Sequence, residues 1–241
     1  MNTILILKYL RYATYVLSAF LVLAIGLSVY ILEATKMPPE VRNRIMSDLN
    51  NQFKNYSNFP LPWPPQMNKQ YPDIGLIDQE GKAFKLSDFR GKIILIETID
   101  MAMAQSQAYS GAATFGPFGA KTAEVDKKLQ PIQAIIGKYS EGKITLPNPD
   151  IIYVKIIFYN ATAAQALPTD ATNWAEHFKL SKADNIFVAV PDKDLRIAAT
   201  TSLLPGFQLI DRAFNLRVDS SGLTPKHNLE MTLIPLIPKL L

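Results

Sequence analysis

The spacing of apolar and polar positions changes several times along the chain. Tyr12–Leu32, YATYVLSAFLVLAIGLSVYIL, is an unbroken uncharged run. A helix needs about 20 apolar residues to cross a bilayer core, so residues 12–32 are predicted to be a transmembrane anchor. Lys8 and Arg11 flank its N-terminal side. The bias of positive residues toward the cytoplasm then leaves residues 1–11 inside and the rest of the chain outside. Ala24-Ile25-Gly26 would also suit cleavage of a signal peptide, although the apolar run continues past it. In residues 33–57 the period becomes helical. Val41, Ile45, Leu49 and Phe53 recur every four positions, which predicts an amphipathic helix over Pro38–Tyr56. It would dock on the domain or act as a stalk; lying on the membrane or pairing with a partner is the alternative. Residues 58–72 carry Pro60, Pro62, Pro64, Pro65 and Pro72. These exclude regular helix and predict a stiff spacer, with proline-rich recognition as the other reading.

From residue 73 to 241 the pattern is that of one α/β domain. Ile74–Ile77 is a short apolar segment before the turn Asp78–Gly81, and Ala83–Phe89 follows. Ile93–Ile96 is a continuous β-branched run, as in a central strand covered on both faces. Glu97 and Thr98 close it, an unusual pair for a core strand. Met101–Ala120 contains no charged residue and reads as a loop carrying Tyr109, Phe115 and Phe118. Lys121–Tyr139 is predicted to be a helix kinked at Pro131, with Ile132, Ile135 and Ile136 on its stripe. Ile151–Tyr159, IIYVKIIFY, is the second strong strand. Helices are expected over Asp170–Leu180 and Asp192–Thr201, with a strand at Asn185–Val190 between them. Two short strands, Gly206–Asp211 and Ala213–Asp219, precede a proline-bent helix over Lys226–Leu241. The order βαβαβ then ββα predicts a mixed sheet with helices on both faces.

Composition narrows the chemistry. The 241 residues include no cysteine. That removes disulfides, thiolate nucleophiles and Cys-based zinc or iron–sulfur sites. A formal net charge of +4 without a long like-charge block does not suggest a nucleic-acid binder. The two histidines, His177 and His227, have no partner at metal-ligand spacing. Ser106 and Ser110 lie outside any Gly-x-Ser-x-Gly, and Gly116–Gly119 lacks the spacing of a phosphate loop.

Two stretches carry a family likeness. Pro72-Asp73…Gly81-Lys82…Leu86-Ser87-Asp88-Phe89-Arg90-Gly91-Lys92 resembles the entry of membrane-anchored thioredoxin-like proteins and peroxiredoxins. Leu204-Pro205-Gly206-Phe207-Gln208-Leu209-Ile210-Asp211 resembles their cis-proline segment. The resemblance implies a thioredoxin-like mixed central sheet flanked by helices, and a cis peptide between Leu204 and Pro205. It puts the family's redox pair near Met103 and Ser106, neither of which can form the thiolate that the chemistry requires. Thiol–disulfide exchange and cysteine peroxidase activity are therefore excluded.

What remains is a membrane-tethered, non-catalytic domain without a cofactor, on the periplasmic or extracellular side. It would bind a protein or peptide through Met103, Ser106, Tyr109, Phe115, Phe118, Leu204 and Pro205. The aromatic loop would meet that partner, or fold back over Leu204-Pro205. Two alternatives stand beside this. Copper chaperones of the same broad fold use two loop cysteines and a histidine, and Met101, Met103 and His227 would imitate that set for Cu(I). The other is an enzyme with non-thiol chemistry.

Overall fold

The structure is a computed structural model that describes residues 63–112, Phe118 and residues 130–241. The chain divides into two units, Met1–Lys54 and Asn55–Leu241. The expected span at 12–32, the helix at 38–56 and Phe115 lie outside the described residues. Among the described residues no helix is long and apolar enough to cross a membrane.

A seven-stranded sheet organises the second unit. Its strands are β1 (Gly75–Asp78), β2 (Ala83–Lys85), β3 (Ile93–Asp100), β4 (Ile151–Tyr159), β5 (Ile186–Pro191), β6 (Gly206–Ile210) and β7 (Leu216–Ser221), in the spatial order β2-β1-β5-β4-β3-β6-β7. β3, β4 and β5 run parallel, whereas β6, β7 and the β1–β2 hairpin join antiparallel. The helices are α1 (Ala104–Ser110), α2 (Ile132–Tyr139), α3 (Pro168–Phe178), the single turn α4 (Ala198–Thr201) and α5 (Ile234–Leu240). Parallel neighbours need a crossover connection, and α3 supplies it between β4 and β5.

Alternation along the strands separates the core into two faces. Ile94, Ile96, Val154, Ile156 and Ile210 pack with Trp63, Tyr71, Leu86, Leu203 and Leu204. On the other face, Ile93, Leu95, Tyr153 and Leu209 pack under α2 and α5, and Ile99, Ile157 and Val188 pack under Trp174 of α3. Burial on both faces is the reason these strands are continuously apolar. Among the described residues the longer helices all cover the second face. The first is covered by irregular chain and short helical turns, so the expected symmetry of helices is only partly realised.

Several boundaries differ from the sequence-based expectation, and three of them have a clear local reason. Pro131 precedes α2 as its N-cap instead of kinking it, since proline lacks only an N–H that a first turn leaves unpaired anyway. The Asp192–Thr201 helix shrinks to Ala198–Thr201. Ahead of it, the Asp194 carboxylate accepts from the Arg196 backbone N–H at 3.0 Å and from its guanidinium at 2.9 and 2.8 Å, a local closure that competes with helix. The C-terminal helical stretch begins at Leu229, because the Asn228 side chain caps the Glu230 and Met231 N–H groups at 2.8 Å each.

The proline-rich segment expected to be a spacer packs on the domain from Trp63 onward. Trp63 sits 6.0 Å from the Phe158 ring. Asn68 N–H donates to Leu216 O at 2.8 Å, Leu216 N–H to Lys69 O at 2.9 Å, and Tyr71 OH to Gln208 Oε1 at 2.6 Å.

The β1–β2 turn is held by Asp78, which accepts from the N–H groups of Glu80 and Lys82 at 2.9 Å each and pairs with the Lys182 ammonium at 2.5 Å. Burial alone would raise the Asp78 carboxyl, but Lys182 and the two N–H groups outweigh it and hold it below the usual carboxylate range. A depressed carboxylate stabilises the fold above its unfolded pKa of about 3.9, and that contribution is lost as pH falls through the folded value. Lys182→Met is therefore expected to lower Tm at neutral pH and to move acid unfolding to a higher pH. Its deficit against the wild-type chain should shrink below about pH 4. Parallel Tm–pH curves for the two proteins would contradict this.

Candidate functional site

Thr98, buried near the end of β3, donates through Oγ1 to the Leu203 carbonyl. This fixes the bend that carries Leu204-Pro205 into β6, and the peptide between those two residues is cis, as the resemblance implied. Gly206 follows because nothing larger fits. A Cβ there would lie 2.4 Å from Ser221 Cα and 2.7 Å from Leu203 O. Gly222, with φ +82°, then donates its N–H to Pro205 O at 2.9 Å, a conformation glycine adopts without steric penalty.

A cleft of about 670 Å³ opens beside this bend. Met103, the N-cap of α1, lines one part, and Leu203 and Leu204 line another. Met67 of the proline-rich segment and His227 complete the wall. His227 Nδ1 lies 3.1 Å from the Asp219 carbonyl. A carbonyl only accepts, so Nδ1 carries the proton, and in the neutral ring Nε2 keeps its lone pair.

Behind α1, on the opposite face of the sheet, lies a buried polar cluster. The Glu97 carboxylate accepts from the Lys155 ammonium and from the Tyr153 hydroxyl. Lys155 also donates to Ser110 Oγ at 3.0 Å, and Trp174 Nε1 donates to the same oxygen at 3.2 Å. Glu97 is 1% exposed and Lys155 0%. Burial pushes the Lys155 ammonium below its ordinary pKa against the opposing pull of Glu97, and pushes the Tyr153 phenol well above its own. One Glu97 oxygen, Oε1, has no partner among the described residues.

The expected site residues separate on this framework. Met103 and Leu204 meet at the cleft, with Pro205 buried next to them. Ser106 is fully buried, its hydroxyl without a partner among the described residues. Tyr109 turns to the other face and stacks edge-on against Phe207 at 5.0 Å. Phe118 neither stands on an open surface nor covers Leu204-Pro205. It is 8% exposed and packs 5.0 Å from Trp174 and 5.3 Å from His177. The supposed loop from Met101 is helical over Ala104–Ser110, with Gly111 as its left-handed C-cap. Met101, Met103 and His227 are not brought together, because Met101 is buried with Ile99 and Trp174. Among the described residues no three His, Asp or Glu side chains could hold a metal ion.

Sequence reasoning missed Lys155, Ser110, Trp174 and Met67. A lysine inside IIYVKIIFY and a Glu-Thr pair ending a core strand were the available signals, since a charge there must find a buried partner.

Removing one member of a buried ion pair strands the other and typically costs about 3–5 kcal/mol. Lys155→Met is expected to destabilise the domain by that order in urea unfolding, and adding Glu97→Gln should recover a substantial part. A double variant as unstable as the sum of the two singles would show that the pair is not coupled.

No family model and no curated protein matches the chain. Solved structures do. The thioredoxin domain of a thiol-disulfide oxidoreductase from Bacteroides vulgatus is 13% identical, covering 64% of this chain and 87% of its own, with a TM-score of 0.39. An uncharacterized thioredoxin-like protein from Porphyromonas gingivalis is 13% identical, covering 73% and 94%, at 0.42. BsSco, a member of the Sco family of cytochrome c oxidase assembly proteins, is 14% identical, covering 69% and 90%, at 0.41. At these values the likeness says nothing about activity, and the assignment rests on the chain's own strand order. Parallel β3–β4 beside antiparallel β6–β7, with the β3–α1 junction facing the Leu204-Pro205 bend, is a thioredoxin-like fold, here without cysteine.

Proposed function

We propose that this chain is a membrane-tethered, non-catalytic thioredoxin-like protein that binds a protein or peptide at the cleft beside Pro205. The observation that carries the reading is the cleft itself. Met103 and Leu204 bound a concavity whose lining combines apolar side chains with Thr201, Ser202 and Thr224, and no residue there can act as a thiol nucleophile. Apolar walls with a few polar groups suit recognition of a short segment. Leu223, 74% exposed on the rim, is available as an apolar contact. Tethering is supported by the uncharged run at Tyr12–Leu32, and placement outside the cytoplasm by Lys8 and Arg11 before it.

The test uses the full chain in its own membranes with a photoreactive side chain at Ser202 or Leu223. Both positions are expected to capture the same protein, while exposed Lys138, distant in the fold, captures none. Leu223→Arg should weaken capture from Ser202 and leave Tm within about a degree, as expected for a surface change. Equal capture from Lys138 would refute the cleft as the binding site.

A second reading rests on a separate observation. Two thioethers and an imidazole, Met67, Met103 and His227, line the one cleft; thioethers are soft donors that suit Cu(I), and imidazole also binds copper. If they hold it, the chain takes up about one equivalent of Cu(I) against a chromophoric chelator. Met103→Leu or His227→Gln should abolish uptake, whereas Met101→Leu should not. Uptake that survives both cleft substitutions would eliminate this reading.

A further inference from the structure

We propose that the segment Trp63–Met67 is a strap that gates the cleft, held closed by the Trp63 side chain. The proposal rests on the cleft being a binding site, but it concerns access, which is measured without any partner.

The strap is held differently at its two ends. On the C-terminal side the backbone is stitched to the sheet edge. Asn68 N–H bonds Leu216 O, Leu216 N–H bonds Lys69 O, and Tyr71 N–H bonds Phe214 O at 2.9 Å. Asn68 itself has φ +59° and sits in a turn closed by Lys69 N–H on Gln66 O at 3.2 Å. Asparagine tolerates that left-handed geometry better than most residues, so the chain direction changes there. On the N-terminal side, among the described residues, side chains do the holding: Pro65 is buried, Met67 packs against the core, and Trp63 is anchored most specifically. Trp63 lays its ring beside Phe158 and donates Nε1–H to Thr200 Oγ1 at 3.2 Å.

Between these ends, Pro64 and Pro65 have no N–H to offer. Among the described residues, the bond from Lys69 to Gln66 O is the only backbone hydrogen bond of residues 64–67. Pro65 and Met67 nevertheless line the same cleft as Leu204 and Gly222. A cleft wall with almost no backbone bonding among the described residues, held by the side-chain packing of Trp63, Pro65 and Met67, can lift without breaking the sheet's own hydrogen-bond ladder.

The pin also joins the two walls. Thr200 is in α4, and its carbonyl accepts from Leu203 N–H at 3.0 Å. Releasing Trp63 therefore frees the strap from the element that leads directly into Leu203-Leu204. Asn68 becomes the pivot, and Pro65 and Met67 move away from Met103.

The absence of native cysteine makes the gate measurable, because one introduced thiol is the sole reporter. The experiment places Met103→Cys in the full chain in detergent and follows maleimide labelling under native conditions. Adding Trp63→Ala is expected to speed labelling by about tenfold or more, since an aromatic anchor is deleted. Labelling at a control Lys138→Cys should not change. Trp63→Phe keeps a ring in place but loses the indole N–H, and should give a smaller increase in the same direction. It remains informative if Trp63→Ala does not fold. Repeating the rates at low urea separates strap opening, which exposes little surface and depends weakly on urea, from global unfolding, which depends steeply. Unchanged labelling at position 103, or an increase with the urea dependence of global unfolding, would overturn the strap. Photocapture at Ser202 and Leu223 can succeed or fail independently.

Discussion

The buried contact between Lys155 and Glu97 is the constraint around which the second face of the sheet is arranged. Both charges lie on paired central strands, β3 and β4, in direct register. Neither reaches water, so each must be satisfied from within. Ser110 meets part of that demand from the end of α1, and Trp174 reaches the same hydroxyl from α3. One small side chain thus receives donors from the sheet and from a helix, which fixes α1 over the strands. The apolar clusters on either side of it, one under α2 and α5 and one under α3, are held apart by this polar seam.

The opposite face works without such a pair. There the chain is held by apolar packing and by backbone bonds from irregular segments, with Thr98 and Gly206 setting the bend at Leu204-Pro205. Thr98 and Glu97 are neighbours on β3, so alternation sends one to each face. The polar end of one strand supports α1 from beneath and shapes the cleft from above. The cleft consequently sits where the sheet framework meets irregular chain, where binding residues are commonly placed. Without a thiolate, what this position retains is shape and a set of soft and hydroxylic side chains.

Much of this was legible in the residues. The β-branched runs at Ile93–Ile96 and Ile151–Tyr159 identified the central strands because burial on both faces demands continuous apolarity. The lack of cysteine closed off thiol chemistry regardless of geometry. The stretch Leu204-Pro205-Gly206 was legible only through its resemblance to a cis-proline segment, and the peptide there is cis. Partners distant in sequence were not legible. Glu97 and Lys155 are 58 positions apart, and no local pattern says that two lone charges in separate strands will pair.

By itself, then, the sequence determined the sheet's central strands, the succession of strands along the chain and the impossibility of disulfide exchange, since these follow from local periodicity and from residue types present or absent. Only the tertiary structure decided which side chains share a space. Met101 and Met103 lie two positions apart, yet one packs under Trp174 and the other lines the cleft with Met67 and His227. Phe118, which local composition made a candidate surface anchor, is instead taken into an aromatic cluster on α3. Periodicity reports which way a residue faces along its own element; what it faces is set by packing between elements far apart in the chain.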